Sequence, residues 1–489
     1  RRYLTVLLDW FSSLERDSDL QLSREIGVLT SELAGILAKH RSIFTGLDDA
    51  GRKWITDALS YAGCRFRSQL YEDGLSGEQC DVSLRSVIQL LDDARCMVDA
   101  TIRANRRDDG LYHSYNLMCM SEEACYIGRL YEMLEGQVAV LSSGLLAADE
   151  VIEVLDALRV SRMFREDQQS YLLYPDRELP RFLEKNRIDT RRAESIELIT
   201  KLVEDGDRSI VRRDEAGTYR FSGDFRNADD LRRSLQSLAE RESFRDRVER
   251  DRECLLELYE ETFQHNRFTG RSGTFFAYEG LGSIYWHMVS KLALATLENC
   301  LNTDASKRDV GLRSRLRDHY REIRDGLGLA KTPKAYGAFP TDAYSHTPKH
   351  AGAQQPGMTG QVKEDVIARL LELGVRVDDG SIRFDLFLFD SNELLREAST
   401  LEFCDLSGQH VCLPLSSGSF GFTYCQVPVI YRNHDEAQLS IFRINDPPVT
   451  RQTLQLTRSE SQSIFARRGE ISRIEVCFPA VTSPPSESP

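Results

Sequence analysis

IRFDLFLFD, residues 382–390, sets Ile382, Phe384, Leu386 and Leu388 at every second position. A period of two is that of a strand whose successive side chains point to opposite faces. Upstream of about residue 376 the period is different. In LSREIGVLTSELAGILAKH, residues 22–40, Leu22, Ile26, Leu29, Leu33 and Ile36 recur at the three-and-four spacing that lines one face of a helix. The same spacing marks 84–102 and 146–160, and similar segments lie near 50–70, 115–140, 194–204, 228–266, 283–301 and 308–325. That makes roughly ten to twelve helices, with no repeat of about 34 or 40 residues to suggest a solenoid.

Downstream of 376 the strand period continues through CQVPVIY (425–431), AQLSIFRI (437–444), LQLTRS (454–459) and RIEVCF (473–478), with turn residues between them. The chain is 489 residues long, too long for one ordinary core. The expected organisation is a helical region over 1–376, a small antiparallel β-sandwich over 377–480, and a disordered tail, 481–489, ending in TSPPSESP. Two interruptions of the helical region read as excursions. YLLYPDRELPRFL (171–183) has two prolines among aromatics, and IVRRDEAGTYRF (210–221) reads as a hairpin turning at Ala-Gly.

A net charge of −14 argues against nucleic acid or an anionic membrane as the partner, since both demand a basic field. No run approaches a membrane span, and RRYLTVLLDWFSS at the start does not read as a signal peptide. The eleven cysteines, among them Cys96, Cys119, Cys300 and Cys412 in apolar settings, read as buried thiols of a reducing, cytoplasmic compartment. None has zinc spacing, and no metal is expected.

Chemistry concentrates in two stretches. Residues 331–361 form a long segment rich in proline and glycine that carries Tyr336, Phe339, Asp342, Tyr344, His346, His350, Gln354 and Gln355. A loop of that length is generally functional or disordered, and its aromatics favour the first. His346 and His350 mimic a metal pair but lack a helical setting and a third ligand.

The second stretch is GTFFAYEGLGSIYWHMVSKLALA, residues 273–295. Ser283 is placed to cap a helix on which Ser283, His287 and Lys291 form one polar stripe, while Ile284, Trp286, Met288, Val289, Leu292 and Leu294 cover the other faces. Such a helix is buried except along one line. Arg271 in FTGRSGT just upstream and the helix N-terminus together offer an anion site, with Glu279 between them as a candidate general acid. Plainer readings compete: Glu279 can bond backbone amides only, His287 can be a satisfied core histidine, and Tyr285 and Trp286 can be packing residues.

YEGLGSIYWHMVSKLALA (278–295) and KTPKAYGAFPTDAYSHTPKHAGAQQPGMTGQVKEDV (331–366) resemble bacterial cellobiose-phosphorylase-like proteins. LYEMLEGQVAVLSSGLL (130–146) and SYLLYPDRELPRFLEKN (170–186) extend the resemblance over most of 115–375. It implies a mainly α fold, an (α/α)6 toroid-like helical barrel flanked by a β-sandwich, acting on glycosides from a cytoplasmic pool. The Trp-Asn-Asp segment that holds the catalytic acid of cellobiose phosphorylases has no counterpart here. Glu279 and Asp342 are therefore candidates on chemistry alone.

The leading expectation is an inverting glycoside phosphorylase using inorganic phosphate and no other cofactor, with Glu279 or Asp342 as general acid. Arg271, His287, Lys291, His346 and His350 are the phosphate candidates, with Tyr285, Trp286, Tyr344, Gln354 and Gln355 on the sugar. A hydrolase would use Glu279 and Asp342 as a carboxylate pair. A noncatalytic glycan-binding scaffold, or a polysaccharide lyase with Tyr285 or Tyr344 as base, are the other readings. The expected partner is a disaccharide or oligosaccharide, with no nucleic acid and no membrane, and a homodimer is compatible with all of these.

Overall fold

The computed structural model describes residues 1–14, 18–175, 178, 180–264, 284–303, 310–327, 359–444 and 446–479. The chain divides into two compact units, Arg1–Met358 and Thr359–Pro489. The boundary falls ahead of the change of period at 376, because one more helix belongs with the strands. Fifteen α-helices lie among the described residues. The expected tail, 481–489, lies outside them.

The first layer is α1 (Arg2–Ser12), β1 (Asp19–Ser23), α2 (Arg24–His40), α3 (Asp49–Glu72), β2 (Gln79–Ser83) and α4 (Leu84–Ala104). β1 and β2 pair antiparallel, and each runs straight into a helix with a serine, Ser23 or Ser83, at the junction. Leu22 therefore belongs to a strand, opposite Cys80, and not to the helical stripe. Gly27 lets the ribbon approach α2, since a Cβ there would stand 2.3 Å from the Cys80 sulfur. Leu37, Phe44 and Ile55 form the small core of this layer.

Residues 115–140 are not one helix. β3 (Leu117–Met120) and β4 (Cys125–Gly128) make a hairpin, closed where the Ser121 N–H donates to Ala124 O at 2.9 Å, and α5 (Leu134–Ser142) begins only after it. A short apolar run carries too few positions to separate the two periods. α5 and α6 (Ala148–Val160) then pack with α12 (Trp286–Asn302) and α13 (Val310–Asp325). The short hairpin β5 (Phe164–Arg165) and β6 (Ser170–Tyr171) follows α6. Buried Gln137 is fully occupied, exchanging two 2.9 Å bonds with the Tyr112 backbone. Asp156 on α6 receives Arg315 at 2.8 Å and His319 at 3.1 Å from α13.

Between these lies a module with a core of its own. α7 (Phe182–Lys185), α8 (Thr190–Glu194), α9 (Glu197–Glu204), β7 (Val211–Arg213), β8 (Tyr219–Phe221), α10 (Ala228–Ala239) and α11 (Arg245–Phe263) enclose a cluster whose members run from Ile188 to Phe263. The expected hairpin is present, with Val211 opposite Phe221 and Gly217 at φ +82° in the turn. Two buried polar side chains replace missing backbone partners. Asn186 bonds both the N–H and the C=O of Phe221 at 2.9 Å, and the Asp251 carboxylate accepts from Leu198 N–H at the start of α9.

The C-terminal unit holds α14 (Thr359–Glu372), β9 (Val375–Asp378), β10 (Ser381–Phe384), β11 (Ser399–Cys404), β12 (His410–Leu415), β13 (Ser419–Tyr424), β14 (Val427–Asn433), β15 (Gln438–Arg443), β16 (Asp446–Arg451), α15 (Arg458–Phe465) and β17 (Ile471–Phe478). β9–β10 and β11–β12 are separate ribbons, and the main sheet has the order β13-β14-β17-β15-β16. It is not wholly antiparallel, since β14 and β17 run parallel.

In IRFDLFLFD the strand stops at Phe384. The Asp385 carboxylate accepts the Phe387 N–H at 3.2 Å and opens a 3-10 turn over Leu386–Leu388, so only Ile382 and Phe384 share a strand face. LQLTRS is likewise not a strand: Gln455 makes a single bridge to Arg383, and Thr457 caps α15 in a capping box with Glu460.

All eleven cysteines are free thiols. Cys300 is buried as expected, and Cys96 is half-buried. Cys119 and Cys412 are exposed, because each sits on the outward face of a two-stranded ribbon. No helix among the described residues is long and apolar enough to cross a membrane.

Two outcomes follow from these contacts. Residues 179–266 produced alone should fold cooperatively, and Asn186→Ala should cost that fragment about 1–3 kcal/mol for each backbone group it orphans, read by urea denaturation. The second concerns Glu460. Burial alone would raise its carboxyl, but bonds from Arg451 (2.7 and 2.9 Å), from Thr457 and from Arg443 (2.6 Å) outweigh that and hold it at about 2, below the ordinary 4.5. A carboxyl lowered in the fold stabilises above its unfolded value and loses that contribution as pH falls. Acid unfolding of the chain should therefore show a loss of stability between about 4.5 and about 2 that is absent in Glu460→Gln.

Candidate functional site

α12 is the most enclosed helix of the candidate region, with eleven of its seventeen residues buried. Its first residue is Trp286 and Tyr285 occupies the capping position, without a side-chain cap. Ser283, expected there, lies outside the described residues. Met288, Val289, Leu292, Ala293, Thr296 and Leu297 turn inward, while His287, Lys291, Leu294 and Glu298 are half-buried. Their spacing of four, three and four places them on one line, as a helix enclosed on its other sides requires. Leu294 belongs to this line and not to the packed faces.

The line has two electrical ends. Toward the C-terminus, Glu298 is matched by Arg2 at 2.7 Å. Toward the N-terminus, the Tyr285 hydroxyl stands 3.4 Å from His287 Nδ1, with the rings edge to face at 5.7 Å. Among the described residues no carboxylate pairs with Lys291. Positive charge at the first turns of a helix, added to the partial charge of its N-terminus, suits an anion or a developing negative oxygen.

Trp286 is buried and belongs to the packed face of α12. Ser290, which the apolar pattern gave no reason to single out, is a buried polar residue of the same helix.

Ile284, just before α12, bridges Leu172 after the 164–171 hairpin, and a Cβ on Gly326, just after α13, would stand 2.1 Å from Gln169 O in that hairpin. Ile284, leading into α12, and Gly326, following α13, thus both meet one short hairpin. Arg159 extends over it, its guanidinium 3.8 Å from the Phe164 ring centre and 3.1 Å from Gln169 Oε1. Tyr171 is buried there, and burial pushes its hydroxyl up to about 12. Arg159 and Gln169 are the polar groups that periodicity misses, because nothing local marks a hairpin of two-residue strands.

Arg271, Glu279, Asp342, Tyr344, His346, His350, Gln354 and Gln355, and the whole of 331–358, lie outside the described residues. So does the separation of Glu279 from Asp342. Among the described residues, no group of three or more His, Cys, Asp or Glu side chains is placed to hold a metal ion.

Part of the chain is similar to a domain found in glycoside phosphorylases. Residues 179–266 match the family model described as GH149 phosphorylase insertion domain 2, which spans the module of α7–α11 with its separate core. No curated protein matches the chain.

The half-exposed and the buried members of α12 should separate under mutation. Trp286→Ala should destabilise by about 3–5 kcal/mol, as for other buried aromatics. Lys291→Ala, on the half-buried line, should cost no more than about 0.5 kcal/mol, read by urea denaturation.

Proposed function

We propose that this protein cleaves a glycosidic bond by inverting phosphorolysis, taking a disaccharide or oligosaccharide and inorganic phosphate. The observation that carries the reading is the match of 179–266 to a phosphorylase insertion domain. The cationic first turns of α12 support it, since phosphorolysis requires a phosphate held beside the sugar where hydrolysis requires only water. The helical region is then an (α/α)6 toroid, with the 164–171 hairpin at its rim.

In this mechanism one carboxylic acid, Glu279 or Asp342, gives its proton to the glycosidic oxygen as the bond from that oxygen to the anomeric carbon breaks. A phosphate oxygen attacks the same carbon from the opposite face. The products are a sugar 1-phosphate of inverted configuration and a free sugar, so atoms and charge balance without a redox cofactor. Lys291 and His287, with Arg271, His346 and His350, hold the phosphate oxygens, and Lys291 contributes as a compact point charge with three donors. Tyr285, Tyr344, Gln354 and Gln355 contact the sugar.

The test is sugar phosphate release from α- and β-linked glucosides, with and without inorganic phosphate. Product should require phosphate, and Glu279→Gln or Asp342→Asn, whichever removes the acid, should lower kcat by about 10²–10⁴. Lys291→Ala should raise the KM for phosphate more than that for the glycoside. Cleavage at equal rate without phosphate would make the enzyme a hydrolase. Folded protein that cleaves nothing would favour a glycan-binding scaffold.

A further inference from the structure

The two-stranded ribbon of β11 and β12 gathers reactive side chains on its outward face. Its register sets Glu402 directly opposite Cys412 and Cys404 directly opposite His410. Alternation puts all four on one side, where all are exposed, while Leu401, Phe403, Val411 and Leu413 turn the other way and are half-buried. The turn that fixes this register is built on Asp405. Its carboxylate accepts the N–H groups of Ser407 at 2.8 Å and Gln409 at 2.9 Å, with Gly408 at φ +79° between them.

Three of these side chains form a line. His410 Nδ1 stands 3.9 Å from the Cys412 sulfur, within reach of a hydrogen bond to sulfur, and His410 Nε2 stands 3.7 Å from Glu402 Oε2. The second distance is long for a hydrogen bond, so the carboxylate acts on the ring through its charge. That charge favours the proton on Nε2, which leaves the Nδ1 lone pair turned to the thiol. An imidazole oriented by a carboxylate and facing a thiol is the arrangement that activates a cysteine as a nucleophile.

The other exposed thiols lack it. Cys64 is met at 3.1 Å by the Arg67 guanidinium, which has no lone pair to take a proton, and among the described residues Cys119, Cys254 and Cys404 have no hydrogen-bonded histidine.

From this we infer that Cys412 is a site of oxidative modification, a thiol that reacts with peroxides to give a sulfenic acid, with His410 as its base and Glu402 as the residue that positions the ring. The thiol gives its proton to His410 Nδ1 and the sulfur attacks one peroxide oxygen. The S–O bond forms as the O–O bond breaks, so sulfur is oxidised and the peroxide reduced. With hydrogen peroxide, the leaving hydroxide takes the proton back from His410 and departs as water. Such a thiol must be open to solvent, and the outward face of the ribbon keeps it so. The ribbon belongs to the C-terminal unit, and the inference does not rest on the reaction proposed for the helical unit.

The test treats the full chain with hydrogen peroxide and traps sulfenic acid with dimedone, each cysteine being read by peptide mass spectrometry. Cys412 should be trapped at least about tenfold faster than any of the other four exposed cysteines, and His410→Gln should remove most of that advantage. Glu402→Gln should slow the trapping of Cys412 and alter its pH profile. It should do neither once His410 is replaced, because it acts through the ring. His410 and Glu402 are 62% and 64% exposed, so neither substitution should disturb the fold, and an unchanged urea midpoint checks this. Equal trapping of the exposed cysteines would overturn the inference, as would a Cys412 rate indifferent to His410→Gln. An effect of Glu402→Gln that persists without His410 would overturn the part given to Glu402. The comparison among thiols of the wild-type chain needs no variant, so it can refute the inference even where a substitution disturbs the ribbon.

Discussion

The enclosure of α12 is the constraint on which the helical unit depends. A helix with Trp286, Met288, Val289, Leu292, Ala293 and Leu297 turned inward must be covered on several sides, and α5, α6 and α13 supply the cover. Each large apolar side chain so buried contributes roughly 1.5–3 kcal/mol, against which the ordering of the chain must be set. The cover is fastened by polar contacts that would be expensive to leave unmade. Asn299 reaches Leu141 O at 2.8 Å, and Gln137 closes α5 onto the backbone of Tyr112. Once α12 is enclosed, its half-buried polar line runs through His287, Lys291 and Glu298.

The module of α7–α11 follows a different logic. Its core is drawn from its own residues, and its backbone exceptions are repaired internally, by Asn186 bonding Phe221 of β8 and by Asp251 of α11 accepting from Leu198 at the start of α9. A segment that buries its own apolar surface can be inserted into a larger fold without asking the host for packing partners. That independence agrees with the limits of the family match, which begins and ends at the edges of this core. The surface is laced with ion pairs of local origin, such as Arg192–Glu261 and Arg241–Asp207, which add little to stability individually.

How much of this was legible depended on how much of each element's environment is local. The stripe of α12 was legible, because four-residue spacing and an otherwise apolar sequence leave one solution for which side faces out. Its start was not, since capping at Ser283 presumed a boundary that the structure places at Tyr285. The 210–221 hairpin was legible from its Ala-Gly turn, whereas Leu117–Gly128 was not, because its turn is built on a Ser121–Ala124 pairing with no glycine at the corner. In IRFDLFLFD, alternation persists beyond Phe384 only in composition. Asp385 ends the strand by capturing a backbone N–H, a competition that the side-chain pattern does not display. Cys119 and Cys412 were misjudged for a related reason: apolar neighbours imply burial only where both faces of a ribbon are covered.

The electrostatics of α12 link the reading of the site to the protein as a whole. With a net charge of −14, a random placement of charge would leave few cations without a carboxylate nearby. Across the described helices this is largely what occurs: Arg103 meets Glu150, Arg106 meets Glu153, and Arg2 meets Glu298 on α12 itself. Lys291, on the same helix two turns earlier, has no such partner among the described residues. In the reaction proposed above, this ammonium is the charge that meets the phosphate arriving with the substrate. The helix N-terminus adds to the same field.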